Sequence, residues 1–137
     1  MTDPGGIADS WFYHQYFSEE ERDLYFETDA RGCARRNIDV GHHDGSVEAA
    51  VSLDEWVIER DFGDLYRYIA KFGRLAEGVV VDALSPAISR LSKTQFEQVW
   101  LECRRAREVR WTESARAQYE ASRSTHDPWI PLRSGED

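Results

Sequence analysis

Leu24-Tyr25-Phe26-Glu27-Thr28-Asp29-Ala30-Arg31-Gly32-Cys33-Ala34-Arg35-Arg36-Asn37-Ile38-Asp39-Val40 is the stretch that decides the fold. It reads as a β-hairpin. Asp29 suits the first position of a type I turn, because its carboxylate can accept backbone N–H groups two residues on. Gly32 suits the φ > 0 position that closes such a turn as a bulge. This turn sets Thr28 opposite Ala34, Glu27 opposite Arg35, Phe26 opposite Arg36 and Leu24 opposite Ile38. Strand side chains alternate with period two. Leu24, Phe26, Ala34, Ile38 and Val40 then share one face with Arg36. Tyr25, Glu27, Arg35, Asn37 and Asp39 share the other. Without the bulge, a one-residue slip would mix the two faces. Glu27 and Arg35 are expected to pair across the wetter face, which contributes about 0.2–1 kcal/mol.

Upstream of the hairpin, Trp11-Phe12-Tyr13-His14-Gln15-Tyr16-Phe17 is dense in β-formers and predicts the first strand. Ser18 to Asp23 is an acidic, solvated connection. Residues 1–9 read as a loose tail. Downstream, Gly41-His42-His43-Asp44-Gly45 is a turn by composition, and Ser46 to Val51 a short strand. Four strands joined by short connections make an antiparallel meander.

The pattern then becomes helical. Ser52 and Glu55 match a capping box that opens a helix running to about Arg60. Phe62-Gly63 interrupts it. Asp64 caps a second helix with Leu65, Tyr68, Ile69 and Phe72 on one stripe, and Gly73 follows its end. Gly78 to Asp82 predicts a fifth strand or a buried extended linker. Ser85-Pro86 can open a helical turn. Ser92 and Gln95 form another capping box. Behind it Phe96, Val99, Trp100, Cys103 and Ala106 recur at helical spacing, with Glu97, Glu102, Arg104 and Arg105 on the opposite face. This helix should lie across the sheet. From Glu108 to Ser122 the pattern weakens, with Trp111, Ala115 and Tyr119 four apart. Residues 123–137 read as a C-terminal tail. The expected fold class is α+β: an antiparallel sheet of four or five strands, helices packed mainly on one face, in a single domain over residues 10–122.

The 137 residues suffice for one real core. With 41% hydrophobic and 31% charged residues the chain classes as globular, not disordered. No apolar run approaches a membrane span and the start lacks a signal peptide, so a soluble, cytoplasmic protein is expected. Two cysteines without a CxxC spacing predict free, buried thiols. A net charge of −9 argues against nucleic-acid binding, which requires cations for the phosphates. It suits a basic partner.

Trp11, Phe26-Glu27-Thr28-Asp29, Arg36 with Val40, Asp44-Gly45, and Phe96-Glu97-Gln98-Val99-Trp100 occur in that order. This set resembles small, uncharacterised bacterial domains with an antiparallel sheet closed by a C-terminal Phe-Glu-x-x-Trp helix. The resemblance covers residues 11–51 and 88–106. The insertion between Leu53 and Leu84 and the extension past Arg107 depart from it. It implies the fold and brings no activity or cofactor.

His42-His43-Asp44 is the tightest His/carboxylate cluster. It reads as a solvated turn before it reads as a metal site or an oriented general base, because adjacent histidines diverge and a closed zinc site needs about four ligands. Arg36 on an apolar face must be paired. Asp82 or Glu97 could bridge it, its head could snorkel to water, or it could anchor an anionic ligand. Phosphate loops, nucleophile elbows and metalloprotease motifs are missing from the sequence, so no cofactor or metal is expected. The expected function is a non-enzymatic protein-binding module, inhibitor- or immunity-like, with an acidic surface. Trp11, Tyr13 and Tyr16 would supply its partner-binding aromatics. The alternative is a small-molecule-binding protein or small enzyme, its ligand held between sheet and helix by Arg36, His14, Tyr16 and His42.

Overall fold

The computed structural model describes residues 10–81 and 88–122. The elements are β1 (Trp11–Phe17), β2 (Arg22–Thr28), β3 (Ala34–Gly41), β4 (Val47–Ser52), α1 (Leu53–Phe62), α2 (Leu65–Phe72), β5 (Ile88–Arg90), α3 (Lys93–Arg110) and α4 (Glu113–Ser122). The five strands form one antiparallel sheet in the order β4-β3-β2-β1-β5. The fold is therefore α+β, as expected. The predicted N-terminal tail and residues 123–137 lie outside the described residues, as do Asp82 and the helical turn at Ser85-Pro86.

The central turn forms as its residues dictate. The Asp29 carboxylate accepts the amides of Arg31 at 2.9 Å and Cys33 at 3.0 Å, and Gly32 donates to the Asp29 carbonyl at 3.0 Å. Gly32 has φ +87°, a conformation costly for any residue with a Cβ. Thr28 faces Ala34, but the pairing then shifts: Glu27 faces Arg36, Phe26 faces Asn37, Tyr25 faces Ile38 and Leu24 faces Asp39. A second bulge sets Arg35 outside the ladder, which corrects the expected register from Glu27 to Leu24. Tyr25, Glu27, Arg36, Ile38 and Val40 consequently share one face, and Leu24, Phe26 and Asn37 share the other.

Helix α3 covers the first of these faces. The Ser92/Gln95 capping box is complete. Phe96 is fully buried against Phe12, with ring centroids 5.2 Å apart, and Cys103 packs into the same cluster as Ile38, Val47 and Ala50. Burying a side chain the size of Phe96 contributes about 1.5–3 kcal/mol. Three expected positions on α3 differ. Ala106 is exposed, and Glu97 and Arg104, expected on the solvent side, turn towards the body to form ion pairs.

The second face is covered by α2 and the extended segment behind it. Leu65, Tyr68 and Phe72 pack on Ala49 and Val51 of β4. Asp64 caps α2 through the Arg67 amide at 3.1 Å, and Gly73 ends it with φ +98°. Asn37 is buried and pins the next segment, donating to the Arg74 carbonyl at 3.1 Å and accepting from the Ala76 amide at 3.0 Å. Val79 bridges Cys33, and Val80 donates to the Gly32 carbonyl. Residues 78–81 thus make an extended linker over the hairpin, and the fifth strand is Ile88–Arg90 at the β1 edge. Both cysteines are free; Cys103 is buried and Cys33 half-buried. Among the described residues no helix is long and apolar enough to cross a membrane.

Candidate functional site

The shifted register carries Arg36 under α3 into a closed set of partners. Its Nε donates to Glu27 Oε1 at 2.6 Å, and its two terminal nitrogens donate to Glu97 at 3.0 and 2.5 Å. The guanidinium also lies 4.9 Å from the ring centroids of both Phe96 and Trp100. Burial by itself would lower the Arg36 pKa; the bonds to Glu97 and Glu27 outweigh it, and the group stays charged. Arg36 in turn holds the Glu97 carboxyl below its usual range. The expected Glu27–Arg35 pair is replaced. Arg35 donates to Ser10 Oγ at 2.7 Å, and Ser10 donates to Glu27 Oε2 at 2.8 Å. A cavity of about 360 Å³ opens beside Arg36, lined also by Glu27, Arg35, Ser52 and Asp54. An anion there would have to displace the Glu27 and Glu97 carboxylates that already hold Arg36, so Arg36 reads as a structural bridge to Glu97.

His14, Tyr16 and His42 do come together, at the other end of the same face. Phe12, His14 and Tyr16 alternate onto it from β1, and Asp23 arrives from β2 opposite Tyr16. His14 Nε2 meets Asp23 Oδ1 at 2.7 Å and His42 Nδ1 meets Asp23 Oδ2 at 2.8 Å. His14 stacks on Tyr25, with centroids 4.7 Å apart, and Tyr16 lies 4.6 Å from His42. Burial pushes the Asp23 carboxyl up, but the two imidazole partners prevail and hold it below its ordinary range. Arg36 is not part of this cluster, which separates the expected ligand-binding set into two places. Asp23, which organises the cluster, was missed in the sequence because it sat inside an acidic run. Its only signal was its position one residue inside a strand.

Two turns frame the cluster. The β1–β2 turn exposes Glu19, Glu20 and Glu21, and the β3–β4 turn exposes His42, His43 and Asp44. They are tied by a hydrogen bond from the His42 amide to the Glu21 carbonyl at 2.9 Å, and His43 bonds the Glu21 carboxylate. Asp44 accepts the Ser46 amide at 2.9 Å, which keeps its carboxyl below the usual range. Between the turns lies a concavity of about 210 Å³ lined by Glu20, Glu21, Arg22, His42, His43 and Asp44. The cation in that lining, Arg22, is already bonded to Asp39. Among the described residues no group of three or more His, Cys, Asp or Glu is arranged to hold a metal ion.

The three aromatics expected to bind a partner do not form one row. Tyr16 is exposed on the α3 side of the sheet. Tyr13 packs with Phe26 and Ile88 on the opposite side and carries the Arg90 guanidinium 5.6 Å over its ring. Trp11 alternates onto that same opposite side and is half-buried. Compared with family models, with curated proteins and with solved structures, the chain matches none.

Proposed function

We propose that the protein is a non-enzymatic binding module that receives a cationic side chain of a basic protein partner between its β1–β2 and β3–β4 turns. The concavity of about 210 Å³ rimmed by Glu20, Glu21 and Asp44 carries this reading. Its size suits one lysine or arginine head, and its carboxylates are acceptors for it. The exposed Tyr16 ring beside it is a rigid, amphipathic contact of the kind interfaces favour. The chain's net charge of −9 would speed encounter with such a partner. The rival reading, a small-molecule site on Arg36, is weakened by the two carboxylates that already neutralise that guanidinium.

The test is affinity capture from the native host at about 50 mM salt, followed by binding kinetics with the purified partner. Raising salt to about 500 mM shortens the screening length from roughly 13 to roughly 4 Å. Association should slow at least tenfold with little change in dissociation. Glu20→Gln with Glu21→Gln should slow association in the same way, and Tyr16→Ala should speed dissociation. A partner whose binding ignores all three substitutions sinks the proposal. So does turnover of a small molecule that Arg36→Met abolishes in a folded protein.

A further inference from the structure

A further concavity, of about 580 Å³, lies between α2, the C-terminal end of α3, and α4. Its chemistry is opposite to the chain's. Lys71, Arg107 and Arg110 line it, and among the described residues no carboxylate does. Trp111 and Tyr119 supply aromatic walls, with ring centroids 6.0 Å apart. Three cations converging with no acid among the described lining residues is unexpected in a chain with 26 acidic and 17 basic residues.

The cations are held in place by the backbone. Arg107 donates to the carbonyls of Lys71 at 2.7 Å, Ala70 at 3.0 Å and Val47 at 3.1 Å. Arg110 donates to the Val47 carbonyl at 2.9 Å. Two of these carbonyls belong to the last turn of α2, where the helix dipole favours a cation. They orient the guanidinium groups without cancelling their charge. Among the described residues no carboxylate stands within 4.0 Å of Arg107, Arg110 or Lys71. The neighbouring acids are committed: Asp64 to the Tyr119 hydroxyl, Glu120 to Arg67 at 3.7 Å, and Glu113 to Arg116 at 3.2 Å. Glu48 acts on Arg107 only at longer range. Burial and the adjacent Arg110 push the Arg107 pKa down, as expected where like charges meet with insufficient compensation.

We propose that this groove is a binding site for a small organic anion with an aromatic body, its acidic group held by Arg107, Arg110 and Lys71 and its ring set against Trp111 and Tyr119. A fixed pair of guanidinium groups suits carboxylate, sulfonate or phosphate alike, and planar rings bind where aromatic walls with a few convergent polar groups make a cleft. The site shares no lining residue with the turn-lined concavity.

The probe is 8-anilinonaphthalene-1-sulfonate, with uncharged N-phenyl-1-naphthylamine as its control, titrated by fluorescence into the full chain. The sulfonate should bind at one site, at least tenfold more tightly than the uncharged control. Lys71→Gln with Arg110→Gln should weaken it at least tenfold while the circular dichroism and thermal midpoint of the protein hold. Ala115→Arg, which adds a cation to the α4 wall with a good helix former, should tighten it several-fold, a gain that loss of folding cannot imitate. Benzoate and phenyl phosphate as competitors rank the acidic group. Equal binding of charged and uncharged probes overturns the proposal, as does sulfonate binding that neither variant changes.

Discussion

Removing the guanidinium from the Arg36 bridge tests the register of the whole sheet. Arg36→Met keeps most of the apolar length of the side chain and deletes its charge. The side chains of Arg36 and Glu27 are 17% and 13% exposed, and that of Glu97 is 35% exposed. The substitution leaves two carboxylates facing one another under α3. Breaking a buried ion pair from one side costs about 3–5 kcal/mol; the wetter Glu97 places this one near about 3 kcal/mol. Loss of the cation–π contacts with Phe96 and Trp100 adds to that cost by about 0.5–1 kcal/mol each. Urea unfolding followed by tryptophan fluorescence measures it. With a slope of about 1.5 kcal/mol per molar urea, the midpoint should fall by roughly 3 M at pH 7. The pH dependence has a definite sign. The Glu97 carboxyl sits low in the folded protein, so its stabilisation is complete above the ordinary carboxyl value of about 4.3 and fades as pH falls through the folded value. Acid should therefore destabilise the natural protein while relieving repulsion in Arg36→Met, and the gap between them should close towards pH 3. Adding Glu27→Gln and Glu97→Gln to Arg36→Met should recover most of the loss at pH 7. A single variant within about 0.5 kcal/mol of the natural protein, or a gap that widens in acid, would refute the bridge.

Three further outcomes follow from the packing. Gly32→Val should cost more than about 1 kcal/mol, because a Cβ at φ +87° would also stand 3.1 Å from the Val81 carbonyl oxygen; an unchanged urea midpoint would remove the turn. Phe96→Ala should cost about 3–5 kcal/mol and Trp100→Ala less, since Phe96 is fully buried and Trp100 only partly; the reverse order in urea unfolding would place α3 wrongly. Burial pushes the Cys103 thiol up to about 11, so in the native protein at pH 8 it should resist an aromatic disulfide reagent until urea unfolds the chain; prompt reaction of both thiols would contradict its burial.

What the sequence determined by itself is what forms within a few residues of chain. The Asp29 carboxylate reaches its own turn, Ser92 and Gln95 satisfy each other across one helical turn, and Asp64 and Gly73 begin and end α2. Each depends on chemistry its neighbours supply, so each was legible without the fold. The antiparallel meander and the amphipathic stripe of α3 were legible for the same reason. Pairings between distant segments were not. Both faces of the hairpin carry apolar and polar residues, so a bulge at Arg35 leaves no mark in the alternation, yet it turns Glu27 and Arg36 inwards and sends Phe26 to the other side. Asn37 looks like a surface residue until the carbonyl of Arg74 and the amide of Ala76 arrive to satisfy it. His14, Asp23 and His42 meet because two strands and the β3–β4 turn align, and Lys71, Arg107 and Arg110 converge because the ends of α2 and α3 do. Only the tertiary structure decided these, since the free energy selecting one register or one helix placement is summed over a whole buried face and belongs to no single residue in it.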